Sequence, residues 1–288
     1  MTATYQAYAQ RGANAWWRYP LALVLGFVLT VVIGAVVIVV GQALKVVPSD
    51  MAKQLQHPDH PQTFFLLTGV MFGVVLAGYA LAFRIVHRKR ARDLLGAWSW
   101  RSFWTGLVIW LGVLVVTALI DFAIAPSGFS ISSNRPTAIL AVTAVVGLGV
   151  QTFAEEFVFR GYLTQGLLLA FKRPAPAAIV SGLLFGALHI PNGAPQAASA
   201  TVFGIVLALI AIRTGGLAFV WGLHLVNNLF GALVLVSRGD AFRNSPGFFV
   251  QDTPQLMWWD ALLGGAALIA LALVMARVWA RRDAVSNA

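Results

Sequence analysis

Cysteine is absent from the 288 residues, so no disulfide, thiol nucleophile or thiolate metal site can be built. Charge is nearly as scarce. Asp, Glu, Lys and Arg make up 10% of the chain, against about 25% in soluble domains, while 59% of it is hydrophobic and the mean hydropathy is +0.80. Such a chain has too little polar surface to cover a core in water, so it must use lipid as its solvent. Negative charge is the rarer sign: ten acidic residues, only two of them glutamate, stand against 20 Lys and Arg, for a net charge of +10. In a soluble protein that balance would point to nucleic acid. Here the basic residues sit at the ends of apolar segments and read as topology signals, and no nucleic-acid partner is expected.

What is present is a series of long apolar runs. A spanning helix needs roughly 20 mainly apolar residues, and about eight segments fit, near 20–42, 62–86, 103–124, 137–159, 177–190, 197–213, 217–237 and 256–279. The first exceeds the 7–15 residues of a signal-peptide core, and Trp16, Trp17 and Tyr19 form an interfacial anchor before it, so it reads as an uncleaved span. With both termini cytoplasmic, 14 Lys and Arg fall inside and 5 outside, with Arg160 left within an apolar stretch. That bias favours an even number of spans. The run from Arg88 to Arg92 is then expected to be a solvated cytoplasmic loop, with anionic-lipid binding as a minor extra. The stretches 43–61 and 238–255 read as ordinary connections, and Asp121 as an interfacial residue. Trp98, Trp100, Trp104, Trp258, Trp259 and Trp279 read as interfacial belts.

Against this background a few polar residues are out of place. The two glutamates, Glu155 and Glu156, are adjacent inside LGVQTFAEEFVFRGYL. An ionisable group in a span costs at least about 2.5 kcal/mol on insertion scales, so it faces a partner or a wet cavity. Arg160 follows Glu156 by four residues, one helical turn, and the two can pair. Glu155 points about 100° away, without a counter-ion from its own helix. A desolvated carboxylate beside a second one is suited to general-base work.

Of the five histidines, His57, His60 and His87 fall in expected loops or segment ends, whereas His189 and His224 lie within apolar segments. Phe185 precedes His189 by four residues and shares its face, and Gly182 and Gly186 form a GxxxG that admits a neighbouring helix. Asn228 follows His224 by four, which favours it over Asn227 as the partner amide. Counted from the assigned inner ends at about 1.5 Å per residue, His224 lies roughly 10 Å deep, His189 roughly 18 Å and Glu155 roughly 20–25 Å. All three fall in overlapping layers and can converge on one cavity. The stretch from Pro136 to Lys172 is longer than one span needs, so a bend or interfacial piece is expected near Gly161 or Gly166.

A carboxylate, two imidazoles and an amide inside a membrane can hydrolyse a bond through activated water, hold zinc for metal hydrolysis, or relay protons in transport. The strings HExxH and GxSxG do not occur around these residues. EEFVFR (Glu155 to Arg160), FGALH (Phe185 to His189) and HLVNN (His224 to Asn228) resemble the ordered motifs EExxxR, FxxxH and HxxxN of the CPBP family, the CAAX prenyl protease and bacteriocin-processing group of intramembrane endopeptidases. The resemblance covers about residues 137–237, with no departure from the motif set.

The resemblance implies a glutamate-dependent peptidase that needs no metal or other cofactor. Carried over position by position, Glu155 is the general base, His189 the second water-activating group, and His224 with Asn228 the oxyanion side. Glu156 and Arg160 form a supporting pair, and Phe185 packs the site. The expectation is therefore an all-α polytopic membrane protein of about eight transmembrane helices enclosing a polar catalytic cavity. Residues 1–288 form a single integral membrane domain, and 137–237 are its catalytic core. The expected partners are the lipid bilayer and a membrane-associated protein or peptide substrate, lipidated or not. The expected location is a prokaryotic plasma membrane. A non-catalytic scaffold or bacteriocin-immunity factor of the same family is the alternative, followed by a proton-coupled transporter.

Overall fold

The structure is a computed structural model and describes residues 2–56, 60–239, 242–252 and 257–286; His57 lies outside them, as do the side chains of Trp279, Arg281 and Arg282. Apolar composition over long stretches without charge yields helices, and twelve α-helices occur among the described residues: α1 (Thr2–Ala9), α2 (Arg18–Ala43), α3 (Met51–Gln56), α4 (Pro61–His87), α5 (Ala91–Leu95), α6 (Trp100–Ile124), α7 (Ala138–Glu156), α8 (Thr164–Phe171), α9 (Pro174–Ala187), α10 (Ala194–Thr214), α11 (Ala218–Leu229) and α12 (Met257–Ser286). Six of the apolar helical stretches are long enough to cross a membrane, rather than the expected eight, taking α7 through α8 as one 34-residue helix. The segments 174–187 and 218–234 are helical and apolar but shorter.

Their outer faces show that lipid is the solvent. On α2 only Ala22, Gly26 and Gly41 are buried, while Val24, Phe27, Val31 and Val39 are all more than half exposed. Large apolar side chains on the outside of a bundle are stable in hydrocarbon and not in water. Inside the bundle, packing relies on small residues. A Cβ on Gly147 of α7 would collide with the Phe65 carbonyl of α4, and one on Gly186 of α9 would collide with Thr201 Oγ1 of α10. The expected close approach at Gly182 and Gly186 is thus made by α10.

The long fourth stretch does not stay α-helical. Over Phe157–Leu163 it widens to a π-helix, with the Thr164 N–H bonded to the Phe159 carbonyl five residues back. A bend or interfacial piece was expected near Gly161 or Gly166; what lies over Gly161 is this π segment within a continuous helical stretch. A second π segment, Phe230–Val234, ends α11. The 217–237 segment then leaves the helix as strand β2 (Leu235–Ser237). It pairs with β3 (Phe249–Gln251), which also pairs with β1 (Phe129–Ile131), in the order β1-β3-β2. The 238–255 stretch is therefore not an ordinary connection. It carries the central strand of a small sheet at one end of the bundle, because β1, directly after α6, offers β3 an edge to pair with.

The opposite, Arg-rich end is closed by the N-terminal segment. Tyr5 of α1 is fully buried and its hydroxyl donates to the Arg160 carbonyl. Burial holds its phenol protonated, far above the usual range. Lys89 corrects the expectation of a wholly solvated loop: it is buried, donating to the Ala9 carbonyl at 2.7 Å and to Gln165 Oε1 at 3.2 Å. Burial lowers its ammonium to about 8. Arg88, Arg90 and Arg92 are exposed, as expected for that loop. His87, expected at a segment end, is indeed the last residue of α4, but it is buried between the Ala13 carbonyl and the Tyr162 hydroxyl.

Candidate active site

The site starts from the C-terminal half of α7. Helical periodicity brings Gln151 and Glu155 onto one face, and Gln151 Nε2 donates to Glu155 Oε1 at 2.9 Å. Glu156 lies on the neighbouring face and is fully buried. Its Oε1 is 3.1 Å from Arg160 NH1, itself fully buried in the π segment, as the i, i+4 spacing implies. The guanidinium also lies over the Phe185 ring, 4.4 Å from its centroid, so the cation has a carboxylate and an aromatic face in place of water.

Helix α11 brings His224 between the two glutamates. Its Nδ1 is 2.7 Å from Glu156 Oε1 and its Nε2 is 3.5 Å from Glu155 Oε2. Glu156 is charge-compensated by Arg160, so its oxygen is an acceptor and His224 Nδ1 carries the hydrogen. The Nε2 distance to Glu155 is longer than a good hydrogen bond, so that nitrogen is not committed to the carboxylate. One turn on, Asn228 Nδ2 donates to Gln151 Oε1 at 3.0 Å. Asn227 Nδ2 donates to Asn228 Oδ1 at 3.2 Å, and Asn227 Oδ1 accepts from Trp110 Nε1 of α6 at 3.1 Å. The chain of bonds from Trp110 to Glu155 orients both the carboxylate and the amide.

His189 is not inside a helix, as expected from the apolar run, but just past the end of α9. Pro191 cannot continue a helix, since it has no N–H and its ring collides with the carbonyl four residues back. The backbone tightens, His189 N bonds to the Gly186 carbonyl at 2.9 Å, and the Phe185 carbonyl loses its usual partner. His189 Nδ1 takes that place at 2.8 Å. A carbonyl can only accept, so the ring hydrogen is on Nδ1 and Nε2 presents a lone pair. Phe185 itself is buried, with its ring centroid 4.7 Å from that of His189 and 6.1 Å from that of His224.

Glu155, His189, His224 and Asn228 line one cavity of about 310 Å³. The structure thus brings together all four residues, with Phe185 on the same cavity wall and Glu156 and Arg160 packed behind. Sequence reasoning missed Gln151, although it precedes Glu155 by four residues, and Trp110, whose bond to Asn227 spans 117 positions. Asp121, expected as an interfacial residue near the end of its span, is buried at 7% exposure. Asp121 accepts from Trp259 Nε1 at 3.1 Å and lines the same cavity. Trp259 is therefore a strut between α6 and α12. Among the described residues, no group of three or more His, Asp and Glu side chains converges in a way that could hold a metal ion.

Comparison with known proteins bears on this segment. Residues 136–230 match a family model described as type II CAAX prenyl endopeptidase Rce1-like, and all three motifs lie within the match. Over 211 residues the chain is 26% identical to the uncharacterized protein YyaK of Bacillus subtilis (strain 168), an alignment covering 69% of this chain and 70% of that protein. No solved structure matches.

Proposed function

Residues 136–230 being of the CAAX-protease-like family, we propose that this integral membrane protein is an endopeptidase that hydrolyses peptide bonds of membrane-associated proteins or peptides with glutamate- and histidine-activated water. The observation that carries the reading is the placement of His224 between Glu155 and Glu156 at the wall of a cavity that also holds His189. Glu155 Oε2 has no hydrogen-bond partner among the described residues, and His189 Nε2 offers a lone pair. A water between them gives one hydrogen to each and keeps a lone pair for attack. Its oxygen adds to the scissile carbonyl carbon while Glu155 takes the proton. The new oxyanion is met by the second Asn228 Nδ2 hydrogen and by His224 when Nε2 is protonated. Glu155 then returns the proton to the leaving amine, and the C–N bond breaks.

Glu156 and Arg160 hold His224 with its hydrogen on Nδ1, so they position rather than react. In this reading residues 1–288 act as one membrane domain with 137–237 as the catalytic core. α9 and α11 each join a long helix to the next, completing eight crossings with both termini on the cytoplasmic side. The bacterial relative and the apolar helices support a prokaryotic plasma membrane. The substrate is a membrane-associated polypeptide, lipidated or not.

The test is a comparison of new protein termini in membranes containing the wild type or Glu155→Gln, with and without a strong chelator. Termini made only by the wild type and untouched by chelation support the reading and name the substrates. Identical termini, with both proteins folded and abundant, would leave a scaffold or immunity role in the lead. Loss on chelation with recovery on adding zinc would replace glutamate chemistry by metal chemistry.

A further inference from the structure

Hydrogen bonds in series run along one wall of the cavity. Trp110 Nε1 donates to Asn227 Oδ1 at 3.1 Å, Asn227 Nδ2 to Asn228 Oδ1 at 3.2 Å, Asn228 Nδ2 to Gln151 Oε1 at 3.0 Å, and Gln151 Nε2 to Glu155 Oε1 at 2.9 Å. All of these residues line the cavity. Between Trp110 and Glu155 stand only side-chain amides, and an amide turned over exchanges donor for acceptor at almost the same shape. Shape therefore does not set the direction of the series. Its two ends do: an indole N–H only donates and an ionised carboxylate only accepts, so both impose the same direction on the amides between them.

The direction matters at Asn228. With Oδ1 engaged by Asn227 and one Nδ2 hydrogen by Gln151, the amide keeps its second hydrogen for the oxyanion of the hydrolysis proposed above. Turned over, it would present a carbonyl lone pair there and repel the oxyanion. While Glu155 is ionised, either end prevents this. The ends part company once Glu155 has taken the proton of the attacking water, because a neutral carboxyl has an O–H and can donate to Gln151. Nothing at that end then opposes inversion of Gln151, Asn228 and Asn227 in turn, at the step where the oxyanion needs its donor. The Trp110 end still opposes it, since an inverted Asn227 would aim its N–H at the indole N–H and leave two donors without an acceptor. Trp110 is held firmly enough to do this. It is buried, and one turn before it a Cβ on Gly106 of α6 would collide with the Phe219 carbonyl of α11, so the helices carrying Trp110 and Asn227 meet at backbone distance.

We propose that Trp110 is a positioning residue of the hydrolytic site: its indole N–H fixes the direction of the amide series and keeps an Asn228 N–H turned to the oxyanion while Glu155 carries the proton. Asn227, which passes that direction on, is the second such residue. The assignment rests on the peptidase reading for its catalytic consequence, whereas the lock on the amides holds whether or not a bond is cut.

The experiment puts benzothienylalanine in place of Trp110 in the full chain by stop-codon suppression, exchanging the indole N–H for sulfur at nearly the same shape. On a substrate found by the termini comparison, kcat is expected to fall about tenfold, as on loss of an orienting partner, with KM and unfolding temperature little changed. Fluorotryptophan at the same position retains the N–H and recovers the rate. Asn227→Asp accepts from the indole but no longer donates to Asn228, so it turns Asn228 over and loses at least as much; it decides by the same readouts should the benzothienylalanine protein not fold. A readout free of substrate uses Glu155→Gln, whose amide both donates and accepts as the protonated carboxyl does, with isotope-labelled Asn side chains observed by NMR in detergent. The Asn228 amide, assigned by its loss in Asn228→Asp, is expected to give one signal pair with Trp110 and a second or displaced pair with benzothienylalanine. An unchanged kcat in the folded benzothienylalanine protein, or an Asn228 pair that ignores the loss of the indole N–H, overturns the lock. A displaced pair without hydrolysis by the wild type keeps the lock and removes the peptidase reading, and hydrolysis with a kcat indifferent to the N–H does the reverse.

Discussion

His224 Nδ1 lies 2.7 Å from Glu156 Oε1, and Glu156 is in turn held by Arg160 at 3.1 Å, so the imidazole has one tautomer and one orientation. Neither Glu156 nor Arg160 lines the cavity itself.

Glu156→Gln keeps the shape but can present an N–H to His224 and turn its tautomer. Hydrolysis of a substrate found by the termini comparison should fall about 10- to 100-fold in kcat, with KM little changed, the usual cost of disturbing an orienting partner. Unchanged kcat in the folded variant would remove the orienting role. Arg160→Met, by contrast, leaves a buried carboxylate without its cation, a loss of about 3–5 kcal/mol that thermal unfolding in detergent would read directly.

Gln151 joins Glu155 to Asn228 through one amide. Gln151→Leu removes both bonds at similar volume. It should lower kcat about tenfold or more with a smaller change in unfolding temperature. Gln151→Asn, one methylene shorter, cannot span the gap and should not restore activity.

Helices α9 and α10 meet at Gly186, where a side chain would collide with Thr201 Oγ1. Gly186→Val must push the helices apart and carry His189 away from the cavity. A destabilisation of about 1–3 kcal/mol is expected, together with loss of hydrolysis. Normal activity in that variant would mean that the α9–α10 contact does not set the position of His189.

Lys89 titrates at about 8 in the folded protein instead of its usual 10.5, because its ammonium is buried. Between those values the unfolded chain binds more protons than the folded one, so this residue makes stability rise with pH across about pH 8 to 10.5. Below pH 8 both states are protonated and the fold carries the full cost of the buried charge. Unfolding temperature measured from pH 7.5 to 10 should climb more steeply in the wild type than in Lys89→Met. Parallel curves would mean that the ammonium is not desolvated.

Six long apolar helices, the Glu156–Arg160 pair and the shared face of Phe185 and His189 were legible in the sequence, because hydropathy and the 3.6-residue repeat act between near neighbours. Gln151 was equally local, four residues before Glu155, but glutamine carries no charge to single it out. Two apolar segments were read as longer helices than they are. Pro191 ends α9 before His189, and the strand pairing of 235–237 with 249–251 outcompetes helix where a distant edge is available.

Local pattern alone therefore determined that this is a helical membrane protein with two carboxylates and two imidazoles placed where lipid would otherwise penalise them. Which of those groups touch was decided by tertiary structure. The His224–Glu156 bond spans 68 positions and the Trp259–Asp121 bond spans 138. The burial of Lys89 under the N-terminal segment likewise depends on elements far apart in the chain. The reason is physical: a sequence shows what one helix presents on each face, whereas burial, charge pairing and an unmet hydrogen bond are properties of the space between helices.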